Sequence, residues 1–487
     1  MAVRPPARPP ALAPLAPLAP LSPLAPPAVV PPPAGPGREG LPRLLGFWAT
    51  TAIVVGAIIG SGIFRVPAAV AGAVGTPGAI AAVWVLGGVI SLCGALTIAE
   101  LAAAFPRSGG VYVHLREIYG PGVAFLFGWT TLFLGPAGTA AVALVFAEYF
   151  GTLVPLPRGG VRLVAAAVIL AVGAASYRSV RGAGALVSAA SAAKVGALVA
   201  LVVAAFLLGD GGAGSLARGA PAAAGAAWGG VGLALVGALW AYNGFHDMVS
   251  VAGEVREPGR VLPRALILGM AVVVVVYLAA NAAYLYVLPF DVLRASPLVA
   301  SDAMVRVLGA AGAGAVAAMV TVSTLGTVLA LGLANPRVFY AMATDGLLFA
   351  PLARVHPRFR TPHVAVAVHT AIMLASVWSR SFEQLAEAFI LGTWPFLALA
   401  AAGVILLRRR RPELPRPYRT PGYPLVPLIF IAGTLAVVAS ALAARPGTTL
   451  AGMGLTLLGV PVYLLRKGGS LNGSSRLSAL GVGRRRR

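Results

Sequence analysis

Two short stretches place polar or helix-weakening residues inside otherwise apolar runs. The first reads Gly56-Ala57-Ile58-Ile59-Gly60-Ser61-Gly62-Ile63-Phe64, and the second Trp240-Ala241-Tyr242-Asn243-Gly244-Phe245-His246-Asp247. Glycines around a serine weaken a helix, because glycine loses the most conformational freedom on becoming helical. A break inside a helix leaves N–H groups at the start of its second half and C=O groups at the end of its first half without partners. The amides attract an anion and the carbonyls a cation, so one compact zwitterion, such as an amino acid, would satisfy both. Read alone, the first stretch also fits a close helix contact, since Gly56 and Gly60 have GxxxG spacing. The second, matched interruption favours the broken-helix reading.

Other chemistry-bearing residues are few. Lys194 is flanked by Ala192, Ala193, Val195 and Gly196. A charged lysine at mid-bilayer costs about 2.5 to 3.5 kcal/mol on insertion scales, so it must be paired, neutral or in a cavity. Glu100 and Glu254 stand close in sequence to Arg107 and Arg256 at the expected inner ends of their helices. Two readings stand for them: interfacial anchors, or an inner gate of ion pairs. His246 and Asp247 follow the second break and could titrate or simply hydrogen-bond each other. Ser323, Thr324 and Thr327 could offer oxygens to a cation, although hydroxyls in membrane helices usually bond to neighbouring backbone.

The elements that must position these groups are membrane helices. Of 487 residues, 59% are hydrophobic and 10% charged, against about 25% charged in soluble domains. Apolar runs of about 20 residues, enough to cross a bilayer, recur between short Gly-, Pro- and Arg-rich loops. The expectation is an all-α polytopic membrane protein of about twelve spans. They fall near 47–70, 78–104, 120–154, 161–177, 185–208, 228–252, 264–288, 307–342, 364–378, 382–407, 424–443 and 450–465. The two interruptions lie five helices apart, in the first and sixth spans, the spacing of two inverted five-helix repeats (about 47–208 and 228–407) with broken first helices. Helices 11 and 12 follow, completing a transmembrane domain over 43–467.

The net charge of +23 would suggest nucleic acid in a soluble protein. Here the arginines cluster in alternate loops: Arg107 and Arg116, Arg178 and Arg181, Arg256 to Arg264, Arg354 to Arg360, Arg408 to Arg411 and Arg484 to Arg487. That is the positive-inside pattern, which puts both termini in the cytoplasm and predicts no nucleic-acid partner. Residues 1–42, with prolines every third position, are expected to form a disordered cytoplasmic tail, and 468–487 a basic one. Cys93 is the only cysteine, so neither an internal disulfide nor a cysteine metal site is expected, and no cofactor is implied.

Five stretches also resemble a known family. They are GAIIGSGIF (56–64), GALTIAELAAAFPRSGGVYVHLREIYGP (94–121), SAAKVGAL (191–198), AYNGFHDMVSVAGEVREPGRVLPRA (241–265) and NPRVFYAMATDGLL (335–348). In this order they are similar to the amino acid–polyamine–organocation superfamily, and within it to the L-type amino acid transporters and their bacterial relatives. The resemblance covers roughly 47–407 and implies a LeuT-type fold working by alternating access. It implies that a substrate carboxylate meets the amides of Ser61 and Gly62, beside Ile59 and Gly60, and that its ammonium faces carbonyls near Ile58 and Trp240. Trp240 would act as a lid, and Asn243, beside Gly244, stands where the family often has glycine, narrowing the side-chain pocket. Lys194 would fill the place of a cation in sodium-coupled relatives, which implies sodium-independent transport coupled to protons or run as exchange.

Alternatives remain in view. Polyamines or other amines could use the same scaffold, but they favour mid-membrane acids, and the predicted core offers few besides Asp247 and Glu148. An intramembrane enzyme would need a constellation such as His-Glu-x-x-His or Gly-x-Ser-x-Gly, and neither occurs. Animal relatives pair through a cysteine between helices 3 and 4, but residues 151–162 contain none, so no disulfide-linked heavy subunit is expected. The Arg- and Ala-rich composition suggests a high-GC bacterium and its cytoplasmic membrane.

Overall fold

The first apolar run stays helical only as far as its glycines. In a computed structural model that describes residues 45–107, 109–178, 183–211 and 228–466, helix α1 (Phe47–Ile58) stops before Ile59, and α2 (Gly62–Val74) resumes at a bend of 42°. Helix α3 (Pro77–Ala104) begins with a proline at its first position, and the Thr76 hydroxyl accepts the Ala79 N–H at 3.3 Å. The proline sits where its missing N–H would have no helical partner anyway. The short α4 (Val111–Tyr119) leads into α5 (Pro121–Leu153), α6 (Gly160–Arg178) and α7 (Ala183–Leu208).

The second run repeats the interruption. Helix α8 (Trp228–Ala241) ends at Ala241, and after an irregular stretch the chain forms a 3-10 helix (Asp247–Glu254). Then come α9 (Pro258–Val287), α10 (Phe290–Ala295), and α11 (Val299–Thr344), which is kinked at Gly309 with φ 67°. A 3-10 turn (Ala350–Ala353), α12 (His363–Ser379) and α13 (Phe382–Arg410) follow; α13 opens on a capping box between Ser381 and Gln384. The chain closes with α14 (Leu425–Ala444) and α15 (Pro446–Leu457).

Among the described residues, eight helices are long and apolar enough to cross a membrane, or nine when the bent pair α1–α2 counts as one span. Shorter apolar helices, Lys194–Leu208, Gly230–Ala241 and His363–Ser379, stand where the fifth, sixth and ninth spans were expected. At 1.5 Å per residue, a helix the length of Gly230–Ala241 reaches about 18 Å, short of the roughly 30 Å hydrocarbon layer. The sixth run therefore falls short because of its own break. Sequence reading also missed α4, whose Val111, Tyr112, His114 and Leu115 are buried, since a nine-residue helix is too short to show as a span. The tail 1–42, the segment 468–487, and Arg181 and Arg218 lie outside the described residues.

Packing brings the interruptions together. Helix α2 lies along α8, while α1 lies against the 3-10 helix, α7 and α9. The first half of each broken helix thus packs on the second half of the other, so the two run antiparallel with their breaks side by side. The long helices α5 and α11 pack along each other, and α11 also covers α7. The described residues contain one isolated bridge, Leu45 to Val255, which ties the start of α1 to the end of the 3-10 helix.

Candidate functional site

The break after Ile58 exposes backbone. The last bond of α1 runs from the Ile59 N–H to the Val55 carbonyl at 2.9 Å, and Ile59 itself is extended (φ −71°, ψ 93°). Ser61 stands at the N-cap of α2, yet its side chain makes no capping bond. Its hydroxyl is buried without a hydrogen-bond partner among the described residues. A helix start has four N–H groups without intrahelical acceptors, and such a start attracts anions.

The carbonyl end is partly occupied. The Lys194 ammonium, on a side chain only 4% exposed, donates a short hydrogen bond to the Gly56 carbonyl. The Tyr277 hydroxyl donates to the Ile58 carbonyl at 3.1 Å, leaving that oxygen one lone pair. From α5, the Tyr149 hydroxyl reaches the Phe64 carbonyl at 2.9 Å in the first turn of α2. Three long side chains from three helices thus hold the broken segment from outside.

Close backbone approach fixes the second break. A Cβ on Gly62 would lie 2.5 Å from Ala241 Cα, and one on Gly244, with φ 115°, would lie 2.6 Å from the Ala57 carbonyl oxygen. Gly60 is different: the nearest atom to a Cβ there is the Ile58 oxygen at 3.9 Å. Asn243 is half-buried, and its Oδ1 accepts the Trp394 indole N–H at 3.3 Å from α13. Trp240 is half-buried too, edge-on to Phe382 and Phe389 with ring centroids 5.8 and 5.5 Å away. Its carbonyl accepts the Asn243 N–H at 3.2 Å.

The remaining sequence candidates lie around this centre. Thr324 and Thr327 hydroxyls bond to the Val320 and Ser323 carbonyls of their own helix at 2.7 and 3.1 Å. The Ser323 hydroxyl is buried without a partner among the described residues. His246 Nε2 is 3.5 Å from Asp247 Oδ1. Glu100 is 2% exposed and does not meet Arg107, which pairs with Glu117 at 3.0 Å. The Glu100 carboxylate instead accepts Arg408 Nε and a terminal guanidinium N–H at 2.9 and 2.7 Å and the Thr420 amide at 2.7 Å; Arg416 Nε lies 3.7 Å away. It fastens α3 to the end of α13 and the following loop. Beside Glu254, the backbone carries the contact: its carbonyl accepts the Leu45 N–H at 3.0 Å, and the Arg256 N–H donates to the Leu45 carbonyl at 2.9 Å.

One charged group escaped sequence reasoning. Arg65, in the first turn of α2, lies 3.2 Å from Glu148 of α5 and 2.7 Å from Glu383 of α13, with its guanidinium 5.7 Å from the centroid of Phe382. Phe382 is also a packing partner of Trp240. The sequence signal was an arginine next to the first interruption in a predicted span, but nothing in spacing names its distant partners.

With this geometry in place, similarity to known proteins decides the family. The family profile described as amino acid permease matches residues 45–459. The chain belongs to the amino acid permease family. This permease is 29% identical over 429 residues to the serine/threonine exchanger SteT of Bacillus subtilis, covering 87% of this chain and 97% of the relative. It is 30% identical over 445 residues to the human cystine/glutamate transporter (89% and 87% covered). It is 31% identical over 400 residues to the human b(0,+)-type amino acid transporter 1 (79% and 80% covered). It is a membrane permease and not an enzyme, and its single cysteine, Cys93, is buried in α3.

The glycine geometry separates packing from binding. Gly62→Ala and Gly244→Ala should each destabilise the permease by about 2 kcal/mol or more, because the added carbon meets backbone that cannot retreat. Gly60→Ala should melt like wild type in detergent yet take up substrate at least about tenfold more slowly. Thermal melts and proteoliposome uptake of the three variants check this; a Gly60→Ala protein with wild-type uptake would contradict a binding role.

Proposed function

We propose that this permease carries a zwitterionic amino acid through the paired breaks by alternating access in the cytoplasmic membrane, with both termini inside. Transport runs without sodium, either coupled to protons or as exchange of one amino acid for another. The observation that carries this reading is the Lys194 ammonium on the Gly56 carbonyl. It puts a tethered cation at the broken end of α1, where a sodium-coupled relative of this fold would hold a free ion. The names of two relatives, a serine/threonine exchanger and a cystine/glutamate transporter, favour exchange.

In this reading the substrate carboxylate sits on the first-turn amides of α2 at Ser61 and Gly62, with the unpartnered Ser61 hydroxyl beside it. The substrate ammonium uses the remaining lone pairs of the Ile58 and Trp240 carbonyls. Its side chain points towards Asn243, whose Oδ1 is taken by Trp394, so the amide presents its N–H donors. Such a pocket is smaller than one with glycine and suits side chains that bring an acceptor oxygen. Polyamines fit less well, because Glu148 is committed to Arg65. With Cys93 buried, the permease works without a disulfide-linked subunit.

The same reading assigns the closures. Trp240 and its aromatic neighbours cover the substrate, and Arg65 clamps α2 to α5 and α13 above them. On the opposite side, the Leu45–Val255 bridge closes the base of α1 against the 3-10 helix.

Three measurements test these assignments. Lys194→Ala should fold and insert but lose most uptake; wild-type uptake that requires sodium, or an alanine variant with normal rate and normal pH dependence, would sink the coupling role. Asn243→Gly should let bulky side chains compete for uptake; unchanged competition across amino acid sizes would reject the pocket assignment. Arg65→Glu or Glu383→Arg alone should slow maximal uptake about tenfold, equivalent to about 1.4 kcal/mol. The double swap should restore much of it, and lack of any rescue would remove the clamp.

A further inference from the structure

The arginines at the face that carries residues 346–363 include two contrasting groups, apart from Arg466, which donates to the Gly346 carbonyl at 3.1 Å and lies over the Phe349 ring. In one group the charge is consumed: Arg107 pairs with Glu117, Arg116 with Asp345 at 2.6 Å, and Arg408 and Arg416 with Glu100. In the other, Arg354, Arg358 and Arg360 sit in the connection from α11 to α12, next to Arg178 at the end of α6. All four are exposed, and none has an ion-pair partner among the described residues. Between Gly346 and Phe382 the sequence contains no Asp or Glu at all.

The connection is also a built structure. The His356 N–H donates to the Thr361 carbonyl at 2.8 Å, and the Arg360 N–H donates to the His356 carbonyl at 2.9 Å. The His356 ring accepts the N–H groups of Arg358 and Phe359, each at 3.2 Å. The Thr361 hydroxyl fastens the loop to the Tyr177 carbonyl of α6 at 2.7 Å, and the Tyr177 ring packs against His356, Phe359 and His363. Arg360 is held at φ 58°, a left-handed conformation that costs a residue with a side chain about 1 to 2 kcal/mol. Two apolar side chains flank the arginines and stand out from the surface, Phe349 at 44% and Val355 at 43% exposure.

Positive charge at one end of a membrane span is a topology signal that any flexible loop can carry. It does not account for a rigid loop, a strained arginine and exposed apolar neighbours. Unpaired guanidinium groups next to exposed apolar side chains, at the ends of spanning helices, match the chemistry of a lipid headgroup above its acyl chains. Guanidinium groups bind phosphate through two parallel N–H bonds, which rewards fixed geometry.

We propose that Arg354, Arg358 and Arg360, with Arg178, form a binding site for the phosphate headgroup of an anionic phospholipid, with Phe349 and Val355 placed among its chains. The site joins α6 to the α11–α12 connection and so braces the long helices that flank the breaks. It stands whichever amino acid is carried and whatever the coupling.

Thermal melting of the purified, delipidated full chain in neutral detergent tests this with defined probes: cardiolipin, phosphatidylcholine, and inorganic phosphate at equal phosphorus. Cardiolipin should raise the wild-type melting temperature, while phosphatidylcholine and inorganic phosphate should not. The variant Arg354→Gln/Arg358→Gln/Arg360→Asn keeps a residue that tolerates the left-handed conformation and should lose at least two-thirds of that shift. Arg354→Gln/Arg358→Gln, which leaves position 360 untouched, should lose about half. Arg409→Gln/Arg410→Gln removes charge elsewhere and should keep the full shift. The proposal is overturned if the loop variants retain the shift, if the Arg409/Arg410 variant loses as much, or if phosphate alone reproduces it.

Discussion

A helix interrupted inside a membrane leaves N–H and C=O groups that lipid cannot satisfy, and each one left bare costs several kcal/mol. Residues 59–61 and 242–246 are two such interruptions, and the neighbouring side chains are arranged to meet their needs. Lys194, Tyr277 and Tyr149 come from α7, α9 and α5 to donate to carbonyls at Gly56, Ile58 and Phe64. The glycines at 62 and 244 let the two breaks touch backbone to backbone, so neither faces lipid. The Ser61 hydroxyl is left over at the start of α2, where a helix's first amides have no helical acceptors, and such a donor set is what a small anion would complete.

Charge placement follows from the same economy of partners. A buried carboxylate is tolerable only when fully paired, and Glu100 gathers an arginine fork and a backbone amide, with a second arginine close by. That many partners make a permanent fastening between α3 and the end of α13. Arg65 is built otherwise: one guanidinium is shared between two carboxylates, one of them on a side chain 43% exposed. The arm to the exposed Glu383 is worth little beside water and can open and re-form at small cost, while the arm to the half-buried Glu148 stays. The difference in burial suits Glu100 to structure and Arg65 to a moving contact.

Much of this was legible in the residues. The glycine–serine cluster at 60–62 and the polar run from Asn243 to Asp247 announced both interruptions, because periodic apolar helices do not contain them. Lys194 stood out because a lone lysine among alanines cannot lie in lipid. Partners across the fold were not legible: spacing paired Glu100 with Arg107, but Arg107 meets Glu117, ten residues on, and the structure joins Glu100 to Arg408 and Arg416 instead. The sixth run has no single segment long enough to cross, because its helix is broken in the middle. The Trp394–Asn243 bond was hidden because its two residues lie 151 positions apart in sequence.

The tethered cation constrains the energetics of the proposed cycle. A ligand shifts a conformational equilibrium only by its difference in affinity for the two states, and a gradient does work only if the ligand can be released on the other side. Sodium can be bound outside and lost inside; the nitrogen of Lys194 cannot leave the chain. Its bond to Gly56 holds the broken end of α1, and an ammonium that cannot leave the chain draws by itself on no gradient. In the proposed sodium-free cycle two sources drive net movement: the proton carried by that ammonium, or the concentration difference of the substrates themselves. In the second case the carrier must return loaded, and the fixed ammonium, by holding the broken segment in its binding shape, leaves the site ready to take a second substrate for that return.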